Sequence, residues 1–359
     1  MSPLKDVLHA FPAPAYLRMP GAGIDISSNS MRSVFLDHKH GKPEVSIRKV
    51  SMPEGAVVSG EIEKPDIVAD FLRSFRLREH IHFAHASLSE RKAFLYQTLI
   101  PSSESNLRSA VEFSLEEHVP IPPAEALFDF EVVRKVDEGT IVSVTVYASR
   151  VVESYLDVFR EAGVTLLSLE VESHAAARAI VAPHHKDTAV MVVDFGRDTT
   201  RLIVIDHGVV SFTTTVEVGG DALTKAVMKH YNVSEAEAET IKNERGFLES
   251  NETRELYEAL MTTVSVVKDD VLGHITYWNT NAEEGIARTP ISEVVMIGGN
   301  ANLKGLPEFL SRSLNLPVSV GNVWQNAFSF DEYIPSIPHH ESLEYANTVG
   351  LALRSYTRL

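Results

Sequence analysis

The chain has 359 residues, 44% of them apolar and 23% charged, with a formal net charge of −16. That length and balance suit a soluble protein of two lobes, and the acidic tally speaks against a nucleic-acid partner, whose phosphates need a basic face. No cysteine is present, which excludes disulfides, thiolate metal sites and cysteine nucleophiles.

Residues 1–20 read as an irregular arm, broken by Pro3, Pro12 and Pro14 and pinned to the body by Phe11, Tyr16 and Leu17. The arm has neither the basic nor the apolar region of a signal peptide, and no later apolar run approaches the roughly 18 residues of a spanning helix. The expectation is a cytoplasmic protein that does not insert into a membrane. Three strand-like runs follow at 22–26, 31–37 and 44–50, separated by Ser27-Ser28-Asn29 and by His40-Gly41-Lys42-Pro43. Residues 64–76 read as a helix and 93–100 as a strand. A helix over 105–118, with Leu107, Val111 and Leu115 at helical spacing, stops at Val119-Pro120-Ile121-Pro122-Pro123. Strands at 127–134 and 140–148, a helix at 151–162 and a strand at 165–171 come next. The opening meander then recurs at 189–195, 200–206 and 209–218, with His207-Gly208 as its second turn. Gly219-Gly220-Asp221 opens a helix over 222–230, a Glu-rich helix covers 234–245 and a long one 253–278. A buried strand at 292–297 finally delivers Gly298-Gly299-Asn300 to a helix at 306–314.

The repeat carries the chemistry. Gly23-Ile24-Asp25-Ile26-Ser27-Ser28-Asn29-Ser30 and Val193-Asp194-Phe195-Gly196-Arg197-Asp198-Thr199-Thr200 each bring an apolar strand to an Asp and turn through small or hydroxyl residues. Asp25 and Asp194, at solvent-facing strand tips, can orient a hydrated divalent cation. Each can instead merely cap its own turn; alone either favours the cap, together they favour a nucleotide clamp. Ser28, Ser30, Thr199 and Thr200 offer hydroxyls to phosphate oxygens, or serve only turn bonding and strand propensity. Gly196 lets the backbone approach an anion, where the first loop has Ser27 and is the weaker binder. Gly298-Gly299, before a helix, can floor a ring or a phosphate. Glu172, after the 165–171 strand, can orient water or complement a helix dipole. His80, His82 and His85 alternate with apolar residues without a carboxylate partner at ligand spacing, so a metal reading is disfavoured. His184-His185 and His339-His340 read as solvated loop pairs. No nucleophile has an evident His and Asp partner, so hydrolase triads fall away.

These residues resemble the actin-like ATPase superfamily, and within it the PilM family of type IV pilus assembly proteins. The resemblance covers essentially the whole chain. Residues 23–30 look like the family's first phosphate motif, Glu172 with 173–177 like its connecting motif, 194–200 like its second phosphate motif and 298–306 like its adenosine motif. Glu239 and Lys242 resemble the pair that reaches ribose and purine, and the narrower likeness rests on Met52-Pro53-Glu54-Gly55 and on the insert.

The implied fold is α/β, a two-lobed actin-like (ribonuclease H-like) ATPase. The first lobe takes 21–94 and 165–187, a partner-binding α+β insert 95–164, the second lobe 188–228 and 288–359, and a helical nucleotide-contacting subdomain 229–287. The resemblance implies ATP and Mg2+, with Asp25 and Asp194 toward the metal and Glu172 toward water. Ser27, Ser28, Asn29, Ser30, Arg32, Gly196, Thr199, Thr200, Gly220, Glu239, Lys242, Gly298, Gly299, Asn300 and Asn302 are then the nucleotide contacts. It implies a scaffold at the inner membrane that docks the N-terminal cytoplasmic peptide of a PilN-like protein beside the pilus, or a related secretion, motor ATPases, with self-association open. A groove between the 105–118 helix, its sheet and the first lobe is the expected peptide site. Family members carry Gly at the Ser27 position and Lys at the Arg32 position, and the second loop here adds Arg197 and Asp198, so slow ATP turnover at most is expected. An FtsA-like cytoskeletal protein is the runner-up, although a C-terminal amphipathic helix is not evident in residues 354–359. A sugar-kinase-like enzyme would need a base in the cleft.

Overall fold

The computed structural model describes residues 20–39, 42–181, 188–281, 286 and 288–356. The expected arm with Phe11, Tyr16 and Leu17, the His40-Gly41 turn and the His184-His185 pair lie outside these. The opening meander is β1 (Ala22–Ile26), β2 (Ser30–Lys39) and β3 (Lys42–Ser51), paired antiparallel in that order. A small ribbon, β4 (Val57–Val58) and β5 (Glu61–Ile62), turns through Ser59 and Gly60 at φ 49° and 83°, the left-handed pair that a two-residue hairpin needs. Helix α1 (Pro65–Glu79) starts with proline, whose missing N–H costs nothing in a first turn, and buries Val68, Ala69, Leu72 and Phe75. Strand β6 (Phe83–Leu88) returns parallel to β1.

The chain then builds β7 (Phe94–Pro101), α2 (Leu107–His118), β8 (Ala126–Val136) and β9 (Gly139–Ala148), a three-stranded sheet in the order β7-β9-β8. Val111 and Leu115 of α2 close a separate small core with Ile100, Val142, Val144 and Val146. Helix α3 (Ser149–Ala162) follows, then β10 (Thr165–Val171), parallel to β6, and α4 (Glu172–Ile180). The sequence reading puts α3 inside the insert, but its stripe of Val151, Tyr155, Val158 and Phe159 packs with Leu72 and Phe75 in the first-lobe core. Helical periodicity reveals that a face is buried, not what buries it.

The second meander is β11 (Ala189–Phe195), β12 (Thr200–Asp206) and β13 (Val209–Val216). Helices α5 (Gly220–Tyr231), α6 (Glu235–Arg245) and α7 (Arg254–Thr280) lead to β14 (Ile291–Ile297), α8 (Leu306–Leu314) and β15 (Val318–Val320). The sheet orders are β10-β6-β1-β2-β3 and β13-β12-β11-β14-β15. Each is an antiparallel meander extended from its first strand by two parallel neighbours. The repeat seen in two hairpins is therefore a repeat of whole sheets.

A last helix, α9 (Ala346–Leu353), is apolar and buried over most of its length. It lies against β1 and α4 so closely that a Cβ on Gly23 would stand 2.0 Å from the Thr348 carbonyl and one on Gly350 1.7 Å from the Ala175 carbonyl. The sequence reading missed it: with seven of eight residues buried, so short a helix leaves no amphipathic period to read.

Candidate functional site

The two hairpins face one another across a cleft of about 630 Å3, within the range of ligand pockets, roughly 300–1,000 Å3. Equivalent residues are 169 positions apart: Asp25 with Asp194, Ser27 with Gly196, Asn29 with Asp198, Arg32 with Arg201. Asn29 Nδ2 donates to Asp198 Oδ2 at 2.7 Å, so equivalent loop tips touch each other.

The register sets the chemistry below the tips. Arg32 lies directly opposite Asp25 on β2, and Arg201 directly opposite Asp194 on β12. Arg32 Nη1 stands 3.5 Å from Asp25 and its Nη2 3.3 Å from Glu344, whose carboxylate also takes Lys49 at 2.6 Å. Arg201 Nη2 stands 3.3 Å from Asp194 and its Nη1 2.8 Å from Glu172. Asp25 is not solvent-facing as the strand-tip argument expected. It is 4% exposed and accepts from Ser87 Oγ at 2.7 Å, because β1 is covered on both faces and its Asp lies within the strand rather than beyond it.

Asp25, Ser27, Ser28, Asn29, Ser30, Arg32, Glu172, Asp194, Gly196, Thr199, Gly298, Gly299 and Asn300 all line the cleft. Ser27 spends its hydroxyl on the Ser30 carbonyl at 2.9 Å, closing the first loop, while Gly196 N–H closes the second onto the Thr199 carbonyl at 3.0 Å. Thr200, by contrast, is fully buried and donates to the Val218 carbonyl at 2.7 Å. Asn302 donates to the His340 carbonyl at 3.0 Å, away from the cleft. Gly220, Glu239 and Lys242 form a layer behind it: Lys242 Nζ reaches Glu239 at 2.9 Å, Thr224 at 3.0 Å and Asn300 at 3.2 Å. A Cβ on Gly220 would meet the Asn300 side chain at 2.2 Å. Gly298 has φ 87° and its Cβ would strike Asp194 Oδ1 at 2.6 Å, whereas a Cβ on Gly299 meets nothing within 4 Å. Gly299 is thus the open floor.

Sequence reasoning missed Arg201, Glu90, Lys49 and Glu344. The first was within reach, since laying one hairpin on the other puts Arg201 on Arg32.

A nucleotide polyphosphate fits this cleft: it has the volume, the small-residue floor, and the free-standing tips of Ser28 and Thr199. An ion bound directly to the carboxylate oxygens, at about 2.0–2.6 Å, would compete with the guanidinium groups that stand 3.5 Å from Asp25 and 3.3 Å from Asp194. Among the described residues no group of three or more His, Asp and Glu could hold a metal ion.

Burial pushes the Glu172 carboxyl up, Arg201 pulls it down and Asp25, Glu90 and Asp194 push it up again, which together raise it to about 7. Between the ordinary value of 4.5 and about 7 the folded chain alone holds this proton. Its contribution to stability is therefore full below that window and lost as pH rises through it. Melting curves of wild type and Glu172→Gln should show the variant gaining on wild type, by several degrees, from pH 5 to pH 8. A flat or reversed difference would contradict the burial argument.

His85 is held between Ser168 Oγ at 2.7 Å and Ser355 Oγ at 2.9 Å, and burial pushes it down to about 4. It is a neutral core imidazole. His80 ends α1 in the left-handed region at φ 54°.

A second cavity, about 300 Å3, opens between the insert and the first lobe. Leu127, Asp129 and Glu131 of β8 line one side, and Leu169, Glu170 and Val171 of β10 the other. Both are edge strands of their sheets. Helix α2 does not line this cavity; its Val111 and Leu115 pack on the insert's own sheet.

The sequence profile of the family described as type IV pilus assembly protein PilM matches residues 23–356. The chain belongs to that family. It superposes on a solved PilM-PilN type IV pilus biogenesis complex with a TM-score of 0.75 at 20% identity, covering 95% of this chain and 100% of that one. On MreB5 of Spiroplasma citri bound to ADP the TM-score is 0.54 at 13% identity, over 92% and 94% of the two chains. These likenesses show the actin-like fold. Cell division protein FtsA of Neisseria meningitidis is 25% identical over 199 residues, 51% of this chain and 48% of that protein. The chain thus spans about half the length of the curated relatives it matches. Among the described residues of this PilM-family chain no helix is long and apolar enough to cross a membrane.

Proposed function

We propose that this chain is a cytoplasmic scaffold of type IV pilus assembly that holds ATP between its lobes and is kept beside the inner membrane by a short N-terminal peptide of a PilN-like protein. The observation that carries the nucleotide half is the meeting of two equivalent loops over a glycine floor, Asn29 to Asp198 above Gly299. Each loop brings small residues and hydroxyls to one polyphosphate, and the adenosine end lies toward Asn300 and the Lys242–Glu239 pair behind it. Turnover is slow in this reading, well under the enzyme median of about 10 per second, because Glu172 is tied to Arg201 rather than free to orient water.

For the partner half, support comes from the cavity between β8 and β10. An extended peptide there adds to a sheet edge, main-chain bonds giving affinity and side-chain pockets specificity. Leu127 is 47% exposed in that wall, so Leu127→Asp leaves the fold intact. Titration of the partner's cytoplasmic peptide, followed by fluorescence anisotropy, should show the variant binding about tenfold more weakly, about 1.4 kcal/mol. Unchanged binding to the folded variant would place the peptide elsewhere.

A further inference from the structure

We infer that this cleft carries its own counter-charge: Arg201, with Arg32 as its equivalent, stands in place of the divalent cation, so that a nucleoside polyphosphate binds here without a metal. The inference rests on the nucleotide reading above and deepens it.

Both guanidinium groups are placed by strand register rather than by a loose loop. Each arginine lies on the strand directly opposite its aspartate, and the two pairs are 169 residues apart, as are the facing loop residues Asn29 and Asp198. Arg201 bridges two carboxylates, Glu172 and Asp194, at 2.8 and 3.3 Å, and its side chain is 16% exposed. A divalent ion taking those same oxygens would have to displace a buried cation or sit beside it, and like charges in a poorly hydrated cleft repel strongly. A guanidinium meanwhile offers what a polyphosphate needs, several N–H donors in a planar fork and a charge that persists at any working pH. Both arginines line the cleft, and each has a buried nitrogen without a hydrogen-bond partner, Arg32 Nε and Arg201 Nη1, the latter paired with Glu172 by charge alone. The surrounding acids hold the Arg201 guanidinium well above its ordinary range, so it stays charged.

The test is equilibrium binding of a fluorescent ATP analogue to the full chain, in magnesium and in EDTA. Wild type should bind with affinities within about threefold of each other in the two conditions, under 0.7 kcal/mol. Arg201→Gln should lose about tenfold or more in EDTA and regain part of it in magnesium. Wild-type binding that collapses in EDTA would overturn the inference while leaving the nucleotide reading in place. No binding in either condition would overturn both. An Arg201→Gln protein that binds like wild type in EDTA would remove Arg201 from the role. If that variant does not fold, the wild-type pair of titrations decides alone, with Arg32→Gln as the second variant.

Discussion

Gly350→Ala should unfold the protein or lower its melting temperature by about 10 °C or more, the loss of several kcal/mol in a chain of this size. The added methyl would stand 1.7 Å from the Ala175 carbonyl oxygen, 2.5 Å from its carbon and 3.1 Å from its Cα. All three are backbone atoms of α4, which cannot turn aside as a side-chain tip can. Separating α9 from α4 by the ångström or more required would open the packing of Ala176, Ala179, Val349 and Leu353 together, and forced overpacking of a filled core costs about 1–3 kcal/mol even where the neighbours are side chains. The control is Gly273→Ala within α7, whose Cβ meets nothing within 4 Å. There the helix should gain up to about 1 kcal/mol. Differential scanning calorimetry of the two variants checks both. A Gly350→Ala protein melting with wild type would mean that α9 does not seat as described.

That helix shows where the sequence was silent. The hairpins were legible because each combines an apolar strand, an acid and a small-residue turn, and because they occur twice in the same order. The long helices were legible from one-sided periodicity and clear stops, such as the proline run after His118. Helix α9 lacks both signals, since seven of its eight residues are buried and Asn347 and Thr348 interrupt its apolar residues without marking one exposed face. The same limit explains α3, whose stripe was visible while the surface that receives it was not.

Within the cleft, residue type was a good guide to proximity and a poor one to what each side chain does. Asp25, Asp194 and Glu172 do converge, but an acid in a sequence carries no mark of the arginine that will neutralise it. Thr199 and Thr200 look interchangeable as letters; strand alternation turns the second inward, onto the Val218 carbonyl. Lys242 sits on α6 where a purine contact was expected, yet its side chain is 3% exposed, with its ammonium behind Asn300, a difference in depth that spacing cannot express.

The central claim is that the two equivalent loops and their glycine floor form a nucleotide site. Gly299 tests it most directly, because a Cβ added there meets no protein atom within 4 Å, while Gly299 itself lines the cleft. The measurement is a calorimetric titration of ATP into wild type and Gly299→Val, with melting temperatures recorded beside it. The account predicts that wild type binds, and that the variant melts within a few degrees of it yet binds about a hundredfold more weakly or not at all, a loss of about 2.7 kcal/mol. A folded Gly299→Val protein that binds ATP as wild type does, or a wild type that binds none, would contradict it.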